Sequence, residues 1–160
     1  MLIRTYEDRD HKTLQDITAR CFRGVAIDHN IEKRFGKISG KNWQWRKRRD
    51  VAADIAANAE GIFVAEEKGK VIGYVSTLVD RDASMGRIAN FCVLPKHQGK
   101  GIGRKLAAAA MAYFRRKGLE IARIETLEQN EVGKVFYPSL GFKEVARQIH
   151  FAMRLKKRRL

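Results

Sequence analysis

Between Val93 and Arg104 the chain reads Val-Leu-Pro-Lys-His-Gln-Gly-Lys-Gly-Ile-Gly-Arg, and no other stretch restricts its fold so strongly. A β-rich apolar run ends there, a short basic loop follows, and an Ala-rich helical pattern starts near Gly101. Gly99, Gly101 and Gly103 fall at alternate positions and leave bare backbone where that helix begins. The first amides of a helix lack internal partners and lie at the positive end of its dipole. With no Cβ in the way, a phosphate oxygen can approach them closely. Lys96, Lys100, Arg104 and Lys105 add positive charge at the same spot. The stretch predicts a strand–turn–helix unit with a pyrophosphate cradle at the turn.

Two common phosphate loops do not fit. No Gly-Lys-Ser/Thr follows four variable residues, so the Walker pattern is absent. The third glycine comes one residue too early for G-x-G-x-x-G, and the site lies past mid-chain rather than in a first βαβ unit. What remains is Gln98-x-x-Gly101-x-Gly103 after a strand ending Val-x-Pro. A second stretch follows after one helix and one strand: Asn130, a small residue three later, Phe136-Tyr137, then Leu140-Gly141-Phe142. Together the two stretches resemble the signature of the GNAT superfamily of N-acetyltransferases, which use acetyl-CoA. The resemblance covers roughly residues 61–152, and residues 1–60 match only in general layout.

The elements along the chain follow an α/β order. Leu2–Tyr6 reads as a strand, followed by a helix carrying Leu14, Ile17, Ala19 and Phe22, with Asp8 or Asp10 as its cap. Residues 28–36 and 43–59 read as helices. Residues 62–66 and 71–79 read as strands joined at Glu67-Lys68-Gly69-Lys70, a hairpin connection. A strand over 87–94, a helix over 101–117 closed by Gly118, a strand over 119–127, a short helix over 131–139 and a last strand over 142–155 complete the order. The resemblance implies a mixed, curved sheet with helices on both faces and two splayed central parallel strands, here 87–94 and 119–127. Residues 1–155 read as a single domain and 156–160 as a basic tail.

Composition supports a globule: 44% of residues are hydrophobic, an ordinary share. No apolar run reaches the roughly 18 residues needed to cross a bilayer, and the early charges at Arg4, Glu7 and Asp8 do not suit a signal peptide. Cys21 and Cys92 have no metal-ligand spacing, and no metal site is expected. These features fit a cytoplasmic protein. The formal net charge is +15, with clusters at Lys41 to Arg49, at Arg115-Arg116-Lys117 and at Lys156 to Arg159. The first and last lie too far along the chain to be assigned to CoA. They suit an acidic partner, rRNA included, or simply a solvated surface.

The resemblance assigns roles residue by residue. Phe91, Cys92 and Val93 supply a backbone edge for the pantetheine arm. Gln98, Gly99, Lys100, Gly101, Ile102, Gly103 and Arg104 form the pyrophosphate loop. Asn130 helps hold the arm near the thioester. Tyr137 matches the family's general acid, which protonates the departing thiolate. Glu125 lies where some relatives that acetylate ribosomal-protein N-termini keep a base. A surface carboxylate paired with Arg123 or Arg147, and a water chain in place of a base, stay open. The acceptor is a primary amine, on a protein or a small molecule. Homodimerisation is left open, as are a catalytically silent acetyl-CoA sensor and a basic protein associated with nucleic acid.

Overall fold

The hairpin at Glu67-Lys68-Gly69-Lys70 organises the middle of the chain. Lys68 and Gly69 take φ of 50° and 73°, the two positive values that a two-residue turn between right-twisted strands requires. The computed structural model describes residues 1–155. The basic tail read at 156–160 lies outside the described residues.

In chain order the elements are β1 (Leu2–Thr5), α1 (His11–Cys21), α2 (Ile27–Phe35), α3 (Trp43–Asn58), β2 (Phe63–Glu67), β3 (Lys70–Asp80), β4 (Met85–Val93), α4 (Ile102–Arg116), β5 (Ile121–Arg123) and α5 (Glu131–Ser139). Three short 3-10 turns sit before α1, after α3 and before α4. The strands form one sheet in the order β1-β2-β3-β4-β5. All neighbours are antiparallel except β4 and β5. The expected α/β architecture is present: a mixed sheet with helices on both faces.

Each face is sealed by its own apolar layer. On one, Ile102, Leu106, Ala110, Tyr113 and Phe114 of α4 pack on Phe63, Ala65, Ile72, Val75 and Ile88 of the sheet. On the other, Leu14 and Ile17 of α1 and Val51 of α3 pack on Val64, Tyr74 and Cys92. The helical spacing of α4 places its apolar side chains in one stripe. Gly86 is needed beneath that stripe, because a Cβ there would come within 2.4 Å of the Phe114 ring.

A bulge in β4 decides which residues reach which face. Ser76 stands opposite Asn90 and Thr77 opposite Ile88, so Ala89 is the extra residue. One inserted residue reverses the inside–outside alternation. Ile88 therefore joins the α4 layer, while Asn90 turns toward α3. There the buried carboxylate of Asp54 accepts from Ser76 Oγ at 2.5 Å and from Asn90 Nδ2 at 2.6 Å. Asn90 Oδ1 has no partner among the described residues. Asp54→Ala would strip both donors of their acceptor in a dry site, an expected loss of about 2–4 kcal/mol. Thermal unfolding checks this: Tm should fall by roughly 5–15 °C, whereas an unchanged Tm would mean that water replaces the carboxylate.

Three expectations are corrected. Asp10 does not cap α1 through its side chain. Its carboxylate instead accepts from Arg4 at 2.7 and 2.9 Å and from the Glu7 amide at 2.9 Å. Burial pushes its pKa up, but the Arg4 and Glu7 hydrogen bonds outweigh this and hold it below the ordinary value. The strand read over 119–127 is bonded only at Ile121–Arg123. The last strand, read over 142–155, does not form, since no backbone ladder joins it to the sheet. Its alternation is strand-like, but a strand exists only beside a partner, and the chain leaving α5 does not return to β5. No helix among the described residues is long and apolar enough to cross a membrane.

Candidate active site

β4 and β5 run side by side only where Met85, Gly86 and Arg87 face Ile121, Ala122 and Arg123. Beyond Arg87 they part, as expected for splayed central strands, and the upper half of β4 presents an open edge. The Leu94 amide bonds to Ile72 O at 2.8 Å, on the β3 side. Backbone direction alternates along an antiparallel strand, so the polar groups of Phe91 and Val93 point the other way, into the gap. Those of Cys92 face β3, opposite Tyr74. This corrects the reading of Cys92 as part of the edge. Its side chain is also buried on the α1/α3 face, where burial first, and then the adjacent Cys21 thiol, push its pKa well up. A buried, protonated thiol makes a poor nucleophile.

The basic loop is pinned to this edge. Gln98 Nε2 donates to Val93 O at 2.8 Å. Gly99 and Gly101 take φ of 74° and 76°, and a Cβ on either would meet nothing within 4 Å. These two glycines serve the turn and leave open space above it. The first bond of α4 runs from the Lys105 amide to Gly101 O, so the amides of Ile102, Gly103 and Arg104 precede the helical ladder and are free to bind an anion. Gly103 has a packing task beside the one expected. A Cβ there would lie 3.0 Å from the Phe136 ring, so this glycine lets α5 pack against α4. Arg104 is partly committed too, donating at 3.1 Å to both Ser139 O and Ser139 Oγ at the end of α5. Lys100 is exposed beside the turn.

Across the gap, α5 carries Tyr137. Its ring is boxed by Phe91 at 6.4 Å, Phe136 at 5.6 Å and Phe142 at 6.2 Å between centroids. Its hydroxyl has no hydrogen bond within the described residues. Burial, with Cys92 nearby, pushes its pKa up to about 12. The phenol stays protonated across the neutral range and remains a donor. Asn130 caps α5: Oδ1 accepts from the Gly133 amide at 3.1 Å, and Nδ2 donates to Thr126 Oγ1 at 2.8 Å. Its amide thus ties the end of the β5 segment to the helix bearing Tyr137.

Glu125 lies at the mouth between the separating strands. Its carboxylate takes a 2.9 Å hydrogen bond from Arg87 Nε and a 2.5 Å bond from Arg123. Partial burial raises its pKa, but the two arginines prevail and hold it below the ordinary carboxylate value. A carboxylate so held has a weak affinity for protons.

Several neighbours were not legible in advance. Arg87 has no motif, and its partnership with Glu125 arises only because parallel strands align them. Asn30 and Gln129 exchange reciprocal amide bonds of 2.9 Å, and Gln129 also donates to Gly24 O at 2.6 Å. These bonds fasten α2 and the α1–α2 turn to the segment before α5. The basic cluster at 41–49 is largely engaged within the fold: Arg46 with Asp28 at 3.1 Å, Lys47 with Asp50 at 3.2 Å and Arg48 with Asp16 at 3.2 Å. Trp43 is buried, stacking on His29 at 4.8 Å, while Trp45 is exposed between Lys41 and Arg49.

Residues 13–142 match the model of the Acetyltransferase (GNAT) family. A mycothiol acetyltransferase of Thermobispora bispora is 33% identical over 87 residues, 51% of this chain. The chain spans only 30% of that relative's length. A GNAT family acetyltransferase from Brucella melitensis, solved in complex with acetyl-CoA, superposes with a TM-score of 0.63 at 26% identity, covering 89% of this chain and 82% of the other. The PaiA N-acetyltransferase of Thermoplasma acidophilum, in complex with coenzyme A, superposes with a TM-score of 0.71 at 22% identity over 89% of each chain.

Proposed function

The chain belongs to the GNAT acetyltransferase family, and from that premise we propose that residues 1–155 act as one domain that transfers an acetyl group from acetyl-CoA directly to a primary amine. One observation carries the reading. The unpaired edge of β4, the free amides before α4 and the half-buried Tyr137 ring beside Phe91 border one gap. A long, thin ligand with a diphosphate at one end and amides along its arm suits such a gap.

In this reading the amides from Gly99 to Arg104 hold the diphosphate, with Lys100 adding charge. The pantetheine amides pair with Phe91 and Val93 as an added strand would. Val93 O is already occupied by Gln98, so Val93 contributes its N–H, which stabilises the oxyanion formed at the thioester carbon. Gln98 acts by holding the loop, and Asn130 by fixing α5. The neutral amine attacks the carbonyl carbon, the C–S bond breaks, and Tyr137 Oη donates its proton to the leaving sulfur. The products are the N-acetyl amine and CoA thiol. The amine's surplus proton leaves through water, and solvent returns a proton to Tyr137. Two arginines make Glu125 a poorer proton acceptor than an ordinary carboxylate, which favours a water chain over Glu125 as the base. Its place there suits orienting the incoming ammonium group before deprotonation.

Glu125→Gln separates these roles. The expected outcome is less than about a tenfold fall in kcat, far below the 10²–10⁴-fold typical of a lost general base. The pH dependence should be unchanged, because a carboxyl held below its ordinary pKa is ionised throughout the neutral range. A fall of 100-fold or more, with loss of an acid limb, would return the base role to Glu125.

The reading as a whole is tested by titrating acetyl-CoA calorimetrically, then following thiol release against small amines, lysine peptides and peptide N-termini. Saturable binding with release on one class supports it. Saturable binding without release on any class would favour the sensor reading, and absence of binding would remove the cradle.

A further inference from the structure

Residues 143–155 carry an apolar face that one copy of the chain leaves uncovered. Val145, Ile149, Phe151, Met153 and Leu155 fall at odd positions, with Arg147 the only polar break. The even positions are Glu144, Ala146, Gln148, His150, Ala152 and Arg154. This alternation, with Val145, Ile149 and Phe151 among its members, suits a strand with one buried face. Yet Val145 is 95% exposed and Phe151 91%. The segment is held at only a few points. Arg147 reaches Glu128 at 3.4 Å and Arg154 bonds to Phe35 O, with no backbone ladder among the described residues.

The same molecule offers the complement. β5 pairs with β4 on one side only, and its other edge is open. Each copy thus has a strand without a sheet and a sheet edge without a strand. The charges match as well. Residues 143–155 carry Lys143, Arg147 and Arg154 against Glu144, whereas residues 120–128 carry Glu120 and Glu128 beside a Glu125 already held by Arg87 and Arg123. Five large apolar side chains from each copy, at on the order of 100–200 Å² apiece, give about 1,000–2,000 Å², the range of a stable interface.

We propose that the chain is a homodimer in which residues 143–155 of each copy form a strand along the β5 edge of the other. Reciprocal exchange closes the contact with two-fold symmetry and leaves neither edge free to recruit further copies. The interface rests on the segment and the edge, and it stands whether or not the acetyl-transfer reading holds.

Sedimentation of the full chain between about 1 and 100 µM, with hydrogen exchange of residues 143–155, tests it. The expected result is a species of twice the 18.3 kDa chain mass, slow exchange in 143–155, and conversion to a monomer by Phe151→Asp. That substitution leaves the isolated fold intact, because Phe151 is exposed in one copy; an unchanged far-ultraviolet spectrum confirms that the variant is folded. A wild-type monomer with fast exchange in 143–155 would overturn the proposal. So would a monomer with slow exchange, which would mean that the segment pairs within its own chain. A dimer insensitive to both Phe151→Asp and Ile149→Asp would place the interface elsewhere and also overturn it.

Discussion

Tyr137→Phe is expected to lower kcat by about 10²–10³-fold, within the range for a removed general acid, while acetyl-CoA affinity changes by less than about threefold. The two numbers separate because the ring and the hydroxyl do different work. The ring packs among Phe91, Phe136 and Phe142, and phenylalanine keeps those contacts. The hydroxyl has no hydrogen bond within the described residues, so its removal leaves no partner stranded. What is lost is a proton held ready at the gap. With burial pushing its pKa up to about 12, Tyr137 remains protonated through the whole working range. The wild-type rate should therefore show no basic limb from this group below about pH 11. Calorimetry for affinity and stopped thiol-release assays for kcat give both quantities. An unchanged kcat would transfer the acid role to water or to the ligand itself.

Gly101→Glu is expected to weaken acetyl-CoA binding by at least on the order of 100-fold, about 2.7 kcal/mol. Two effects combine. At φ of 76° a side chain is strained, by roughly 1–2 kcal/mol. The Cβ would enter space that is open around the cradle, placing a carboxylate where the diphosphate would lie. The strain alone can be measured at Gly118, which has φ of 74°, also borders open space, and sits at the other end of α4. Gly118→Glu should lower Tm to a similar degree while leaving acetyl-CoA affinity unchanged. If both variants bind normally, the diphosphate does not rest on the α4 amides.

Much of the site was visible in the chain because it depends on local backbone needs. The turn at Gly99 and Gly101 requires positive φ within a few residues, and glycine meets that need at no steric cost. The short helix read over 131–139 is observed as α5, and the structure adds Asn130 as its cap. Lys68-Gly69 marked the hairpin for the same reason. The splay of β4 from β5 followed from the resemblance, and the register ending at Arg87 agrees with it.

Side-chain partnerships were another matter. Glu125 read as base or bystander until parallel pairing brought Arg87 beside it from a strand 38 residues earlier. Cys92 read as part of the binding edge, but a one-residue phase separates its backbone from that of Phe91 and Val93. Gly103 read only as part of the phosphate loop, and the Phe136 ring, from a different helix, adds a packing reason for it to be bare.

Sequence alone settled the order of elements as far as α5, the glycine turn before α4 and the presence of Tyr137 just after an aromatic neighbour, since each is encoded by spacing within a few residues. The packed chain settled which carboxylate is neutralised, which backbone groups face the gap, and that the alternating segment 143–155 has no sheet to join within one copy. Those outcomes depend on contacts between residues far apart in sequence. A single inserted residue such as Ala89 or a strand too short such as β5 can change them, and no local pattern records either.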